Sequence, residues 1–287
     1  MPSARCCGRG GTSASGFGSL LLILSLTACR PGSRTTVTLA GSTSVQPFAE
    51  RLAEIYVRSH PEVEINVQGG GSSAGIRAVH DGICQIGMSS RNLAPEEKGL
   101  QEIPIALDGI VLIVNQQNPV MGLNLEQARA VFAGAVRDWS KVGGAHRRIT
   151  LVTREEGSGT RASFEQQVMT GDGSSATSFA RDALVQDSNG AVREIVASDP
   201  DAIGYISFGL VDQRVRPLTL DGVAPSEETI KQGRYPVVRR FLFLLRHPTA
   251  QAAPTRQQEA MTRFLNFVLG PAGQKVLVDE GLVSILP

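Results

Sequence analysis

The sequence has almost no net charge: 28 lysines and arginines face 27 aspartates and glutamates over 287 residues, a formal +1. That balance offers nothing for a nucleic acid or a membrane surface to hold. Cysteine is equally scarce. Cys6, Cys7 and Cys29 stand in the first 29 residues and Cys84 is alone after them. The domain beyond residue 29 thus has no pair for an intrachain disulfide, and its stability must come from a packed core, which roughly 250 residues can supply. Cys84, in an apolar stretch, reads as a buried inert thiol. No Cys/His spacing suits a zinc ion, and no glycine-rich loop carries the lysine of a P-loop. Neither a metal nor a cofactor is expected. The four histidines, His60, His80, His146 and His247, sit in polar, loop-like surroundings. No repeat at a solenoid period is visible.

What is present begins at the N-terminus. Arg5 and Arg9 form a positive region ahead of Leu20 to Leu26, an apolar run too short to span a bilayer, and small residues follow. The segment Leu26-Thr27-Ala28-Cys29 resembles the lipobox of bacterial lipoproteins. That resemblance implies a signal peptide over residues 1–28 and a diacylglycerol on the Cys29 thiol, which cleavage leaves as the new N-terminus. An ordinary secretory cut nearby is the alternative. Residues 29–35 lack apolar periodicity and read as a tether through which the domain reaches a membrane partner.

From Thr36 the pattern is strand, loop, helix, repeated, which marks an α/β fold with crossover helices. Val37 to Ala40 is the first strand. A helix with Val45, Phe48, Leu52 and Ile55 on one face follows, ended by His60-Pro61. Val63, Ile65 and Val67 alternate as the second strand, Ala74 to Val79 is a helix, and Cys84 to Met88 is the third strand. Ile103 to Val114 is a long β-rich stretch that crosses into a second lobe. That lobe holds a helix at Leu125 to Phe132, a strand at Ile149 to Thr153, a helix at Arg161 to Met169, and a Gly/Ser-rich connection over Gly171 to Ser175. A helix capped near Ser188-Asn189 and a strand at Ile203 to Ser207 close it. Val237 to Leu245 returns the chain to the first lobe, and two helices finish it. The expected organisation is a first lobe over residues 36–112 and 237–287, enclosing a second over 113–236, with a two-segment hinge.

Three loops share one local logic: a strand ends, glycine and hydroxyl residues follow, and a helix begins. Helix-terminal N–H groups lack intrahelical partners and carry partial positive charge, so such junctions seat anions. The loops are Gly41-Ser42-Thr43-Ser44, Gly71-Ser72-Ser73-Ala74-Gly75 and Gly157-Ser158-Gly159-Thr160. Read singly, each is as well explained by a hydroxyl capping its helix. Arg154, three residues before Gly157, can place a planar fork of donors on a tetrahedral oxyanion, with Glu156 as the carboxylate that orients it. Arg91 follows Ser89-Ser90 in a similar way.

These residues resemble the substrate-binding proteins of bacterial phosphate ABC importers, the PstS type. The resemblance is carried by Gly41-Ser42-Thr43-Ser44-Val45, Gly71-Ser72-Ser73-Ala74-Gly75-Ile76, Gly87-Met88-Ser89-Ser90-Arg91, Leu107-Asp108-Gly109-Ile110 and, most specifically, Arg154-Glu155-Glu156-Gly157-Ser158-Gly159-Thr160-Arg161. It extends from about Thr36 to the C-terminus. It implies a two-lobed periplasmic binding protein of type II, a monomer, that closes on phosphate and delivers it to an integral-membrane permease. It also implies a phosphate site built from Ser42, Thr43, Ser44, Ser72, Ser90, Arg91, Asp108, Arg154, Ser158, Gly159 and Thr160. One departure stands out: a well-known branch has an acidic residue where this chain has Ser90, and that carboxylate accepts the proton of hydrogen phosphate. Asp108 is the nearest acid here, as in a shorter branch with Ser-Ser-Arg followed by Asp-Gly-Ile.

Two rival readings remain open at this stage. The same fold could take sulfate or molybdate. Ser158 could instead be the nucleophile of a phosphatase-like hydrolase, but that serine needs a base within hydrogen-bond reach, and no histidine is placed beside it by sequence.

Overall fold

The computed structural model describes residues 34–170, 177–247 and 253–286. The signal peptide, Cys29, nearly all of the tether and the Gly171 to Ser175 connection therefore lie outside the described residues. The chain opens with β1 (Thr35–Gly41), α1 (Gln46–Ser59), β2 (Val63–Gly69), α2 (Ser72–His80) and β3 (Ile86–Ser89). A 16-residue strand, β4 (Leu100–Asn115), leads to β5 (Gly122–Leu123), α3 (Leu125–Phe132), β6 (Thr150–Arg154) and α4 (Gly159–Phe164), which continues as a π-helical turn over Glu165–Met169. Then come β7 (Leu184–Gln186), α5 (Asn189–Ser198), β8 (Ala202–Ser207), β9 (Val215–Pro217) and β10 (Thr219–Leu220). The chain finishes with α6 (Glu227–Lys231), β11 (Val238–Arg246), α7 (Arg256–Leu269) and α8 (Pro271–Asp279).

The sheet runs β2-β1-β3-β11-β4-β8-β6-β7, with β9 also on β4. Its two halves are joined by β4, which changes partner midway. Leu100 to Gly109 pairs antiparallel with β11, and Ile110 to Val114 pairs with β8. From Asp108 to Asn115 every residue of β4 is buried, which accounts for its unbroken apolar run after Asp108: a strand covered on both faces cannot show polar alternation. Sharing of β4 makes the two halves one continuous path.

Two apolar cores flank the switch. Val37, Leu39, Phe48, Leu52, Ile86, Phe241, Phe243 and Phe264 belong to one. Ile110 to Val114, Phe132, Trp139, Phe164, Val192, Ile203 and Tyr205 belong to the other. Burying each such aliphatic or phenyl side chain stabilises the fold by about 1.5–3 kcal/mol before the entropy of ordering is set against it.

The helices keep their expected places with small adjustments, α2 running over Ser72–His80 where Ala74 to Val79 was expected. On α1 it is Tyr56, not Ile55, that completes the buried face after Phe48 and Leu52, because Tyr56 packs against Phe264 and Phe267 of α7. The helix expected from Arg161 begins two residues earlier, since the Ser158 side chain caps it by accepting from the Arg161 N–H. Among the described residues, no helix is long and apolar enough to cross a membrane.

Candidate functional site

The three glycine- and hydroxyl-rich loops meet at one place. At the start of α1 and α2 the hydroxyls do not cap their helices: neither helix has a side-chain cap bond. They are turned to one another instead. Ser42 Oγ donates to Ser90 Oγ at 2.9 Å, and Ser90 N–H donates to Ser72 Oγ at 3.1 Å. Ser44 Oγ and Thr160 Oγ1 share a hydrogen bond of 2.6 Å across 116 residues of sequence. Gly159 closes the gap. A Cβ there would lie 2.2 Å from Ser72 Oγ and 2.6 Å from Ser90 Oγ, so only glycine lets the loop after β6 lie against the junctions after β2 and β3. The backbones there also touch, Ser73 N–H reaching Gly157 O at 3.3 Å.

Arg154 ends β6 and is 1% exposed. Its Nη2 donates to Thr43 Oγ1 at 2.9 Å and to Asp187 O at 3.0 Å, and its Nε to Gln186 O at 3.2 Å. The carboxylate that orients it is Glu155, not Glu156. Glu155 takes Nε and Nη2 at 3.0 Å each, whereas Glu156 is exposed. The side chain next to the arginine has the shorter reach to its fork. Arg154 Nη1 is buried with no hydrogen-bond partner.

Asp108 lies in β4 and is 1% exposed. Its Oδ1 accepts from Ser207 Oγ at 2.7 Å and Phe208 N–H at 3.1 Å. Its Oδ2 lies 2.8 Å from both Nε and Nη2 of Arg239. Burial pushes the carboxyl up from the usual aspartate range, and Arg239, Ser207 and Phe208 pull it back. Burial pushes Arg239 down, with Asp108 opposing that push. Three of these donors, Ser207 Oγ, Phe208 N–H and Arg239 Nε, hydrogen-bond its two oxygens, while Arg239 Nη2 lies close but off the hydrogen-bond line. The contacts it makes are those of a counter-ion to Arg239.

Arg91 is engaged elsewhere. Its guanidinium is held bidentately by Glu97, at 2.6 and 2.7 Å, and donates to Ser73 Oγ at 3.2 Å, so it makes no hydrogen bond with the hydroxyls that meet across the loops. Ser158 stands at the edge of the cluster as the cap of α4. Of the residues singled out in the sequence, Ser42, Thr43, Ser44, Ser72, Ser90, Arg154, Gly159 and Thr160 come together.

Four participants were not anticipated. Arg239 Nη1 donates to Thr160 Oγ1 at 2.7 Å, Asn189 Nδ2 donates to Ser44 Oγ at 2.8 Å, Ser163 Oγ donates to Ser90 O at 3.2 Å, and Ser207 holds Asp108. Arg239 alone left a trace in the sequence, a cation in alternation with Phe241 and Phe243 on β11. Behind the site Tyr205 hydrogen-bonds Thr153 at 2.8 Å and stacks on Phe164; burial raises its hydroxyl to about 12, so it stays protonated.

The cluster has more hydrogens to give than acceptors to receive them. Ser44 and Thr160 accept from Asn189 and Arg239 respectively and share one bond, so whichever donates, the other's proton has no acceptor among them. Ser42 donates to Ser90, and Ser72 accepts from the Ser90 amide, which leaves at least one more proton between Ser72 and Ser90. Arg154 Nη1 adds to this surplus. A buried donor excess is costly unless an acceptor-only group meets it.

Residues 27–272 match the model of the PBP superfamily domain. The phosphate-binding protein PstS of Bacillus subtilis is 30% identical over 256 residues, covering 87% of this chain and 81% of the other. A Clostridium perfringens protein assigned to phosphate ABC transport, whose crystal structure holds bound phosphate, is 36% identical with a TM-score of 0.80, over 87% of this chain and 99% of that one. An ABC-type phosphate transport receptor from Vibrio cholerae is 35% identical with a TM-score of 0.71, over 86% and 99%. The chain belongs to the PstS-type phosphate-binding proteins of the PBP superfamily, with their two-lobed α/β fold.

Proposed function

We propose that this protein captures inorganic phosphate outside the cytoplasmic membrane and delivers it to the permease of an ABC importer. The observation that carries the reading is the surplus of buried hydroxyl and guanidinium donors from Ser44, Thr160, Ser72, Ser90 and Arg154. Tetrahedral phosphate presents acceptors on every side, and neutral donors hold it without a bare countercharge. The proposed ligands are Ser42, Thr43, Ser44, Ser72, Ser90, Arg154, Gly159 and Thr160, with Ser158 completing the loop as a cap.

The donors come from both sides of the β4 partner switch, so an anion touching all of them favours the closed arrangement by its differential affinity. We place the lobes at residues 36–112 with 237–287, and 113–236. The hinge is the pair of strands hydrogen-bonded where Ile110 N–H meets Val237 O at 2.9 Å. Calorimetric titration of the purified domain should give saturable one-to-one phosphate binding; absence of any heat or competition with phosphate, in protein shown to be folded, would end the proposal.

The resemblance of Leu26-Thr27-Ala28-Cys29 to a lipobox supports an anchor for that capture. Cys29 is proposed to carry the lipid, residues 1–28 to be removed, and the monomeric domain to work on its tether. Cys29→Ser should lose both labelled-palmitate incorporation and membrane fractionation; retention of either removes Cys29 from that role. The hydrolase reading finds no support at Ser158: its Oγ accepts from Arg161 N–H, and no histidine is among the hydrogen-bond partners in the cluster.

A further inference from the structure

Arg239 is 6% exposed and sits among the anion-binding hydroxyls, yet no sequence motif of the site contains it. Its guanidinium is fixed from three sides. Asp108 takes the Nε edge at 2.8 Å, Thr160 Oγ1 takes Nη1 at 2.7 Å, and the plane lies over the Phe241 ring with 5.0 Å from Cζ to the ring centre. Nη1 also reaches Ser90 O at 3.4 Å, so the group spans hydroxyl loops of both lobes. Nη2 is 2.8 Å from Asp108 Oδ2 but off the hydrogen-bond line, and it has no hydrogen-bond partner despite full burial. Arg154 Nη1 is the other guanidinium nitrogen of the cluster in that condition.

We propose that Arg239 is a second arginine of the oxyanion site, positioned by Asp108, and that discrimination between oxyanions does not come from the Asp108 carboxylate. This rests on the phosphate reading above. Two arginines and their two carboxylates, Glu155 and Asp108, sum to zero charge, so an entering anion meets directed N–H donors and no uncompensated positive charge. The remaining partners are serine and threonine hydroxyls, which can accept a proton as readily as donate one. A protonated phosphate is therefore accommodated by rotating a hydroxyl. Sulfate is then met by the same groups turned the other way.

The two roles of Asp108 predict opposite results, and paired titrations separate them. In Asp108→Asn, phosphate and sulfate affinities should move together, their ratio staying within about twofold of the wild type. Loss of phosphate affinity with sulfate unchanged or gained would make Asp108 the proton acceptor and overturn the proposal. Removing the whole pair, Asp108→Leu with Arg239→Met, avoids leaving a lone buried charge. In that protein, checked for folding by circular dichroism, both anions should bind about tenfold or more weakly; wild-type affinity would refute a ligand role for Arg239. Should the double variant fail to fold, Arg239→Lys, which keeps the charge but not the fork, reads the same question: weaker binding of both anions supports the role and unchanged binding refutes it. Failure of the wild type to bind phosphate would sink the parent reading instead.

Discussion

Gly159→Ala is expected to weaken phosphate binding by roughly ten- to a hundredfold, in line with an overpacked contact costing about 1–3 kcal/mol. The added methyl has no backbone cost here, because Gly159 is not among the glycines with positive φ. Its whole effect falls on Ser72 and Ser90, whose oxygens would lie 2.2 and 2.6 Å from the new carbon. Ser72 begins α2 and Ser90 follows β3, whereas Gly159 begins α4. The alanine thus pries the lobes apart while each keeps its own core. Small-angle scattering should show less compaction on adding phosphate, with the thermal midpoint of the unliganded protein nearly unchanged. A variant that binds and compacts like the wild type would mean that the close approach at Gly159 is not required for the bound state.

Arg154→Met should have the largest effect, a loss of at least about a hundredfold in phosphate affinity, since hydrogen bonds from a charged donor contribute about 1.5–3 kcal/mol each and more than one is removed. Three consequences combine. The unpartnered Nη1 disappears as a donor, Thr43 loses the 2.9 Å bond that fixes its hydroxyl, and the carbonyls of Gln186 and Asp187 lose theirs. Glu155 keeps access to water, its side chain being 31% exposed, so it can turn outward and the fold should survive. Arg154→Lys should recover only part of the affinity, because an ammonium is a point charge without the planar fork. Titration of the two variants side by side checks this; equal affinities would show that charge alone is used. Wild-type affinity in Arg154→Met would exclude the residue from the site.

Much of this was legible from residue order, and the misses have physical causes. The three loops announced themselves because glycine and hydroxyls clustered between a strand pattern and a helix pattern, and the sheet brought them together as parallel βα units must. The donor Arg154 was legible for the same reason. Its carboxylate was not, because two adjacent glutamates differ only in which one the loop turns inward, and that turn is set after β6 by contacts with β7. Arg91 looked equivalent to Arg154 in sequence. Glu97, six residues on, reaches it first. Asp108 with its Gly109 could be read as a turn or as a ligand; it is a strand residue, and what it does depends on Arg239, 131 residues away. Long-range pairing of that kind leaves no periodic mark. The one mark available, a charge on the inward face of β11, says that a partner exists but not which.

The position of β11 has a consequence for how the polypeptide is made. It fills the middle of the first half-sheet, between β3 and β4, and α7 completes the packing there with Phe264. A nascent chain emerging from its N-terminus therefore holds two open strand edges and an unfinished hydrophobic interior until nearly its last residues are available. Folding waits on a contact of very high sequence separation, which is slow and exposes apolar β segments to capture.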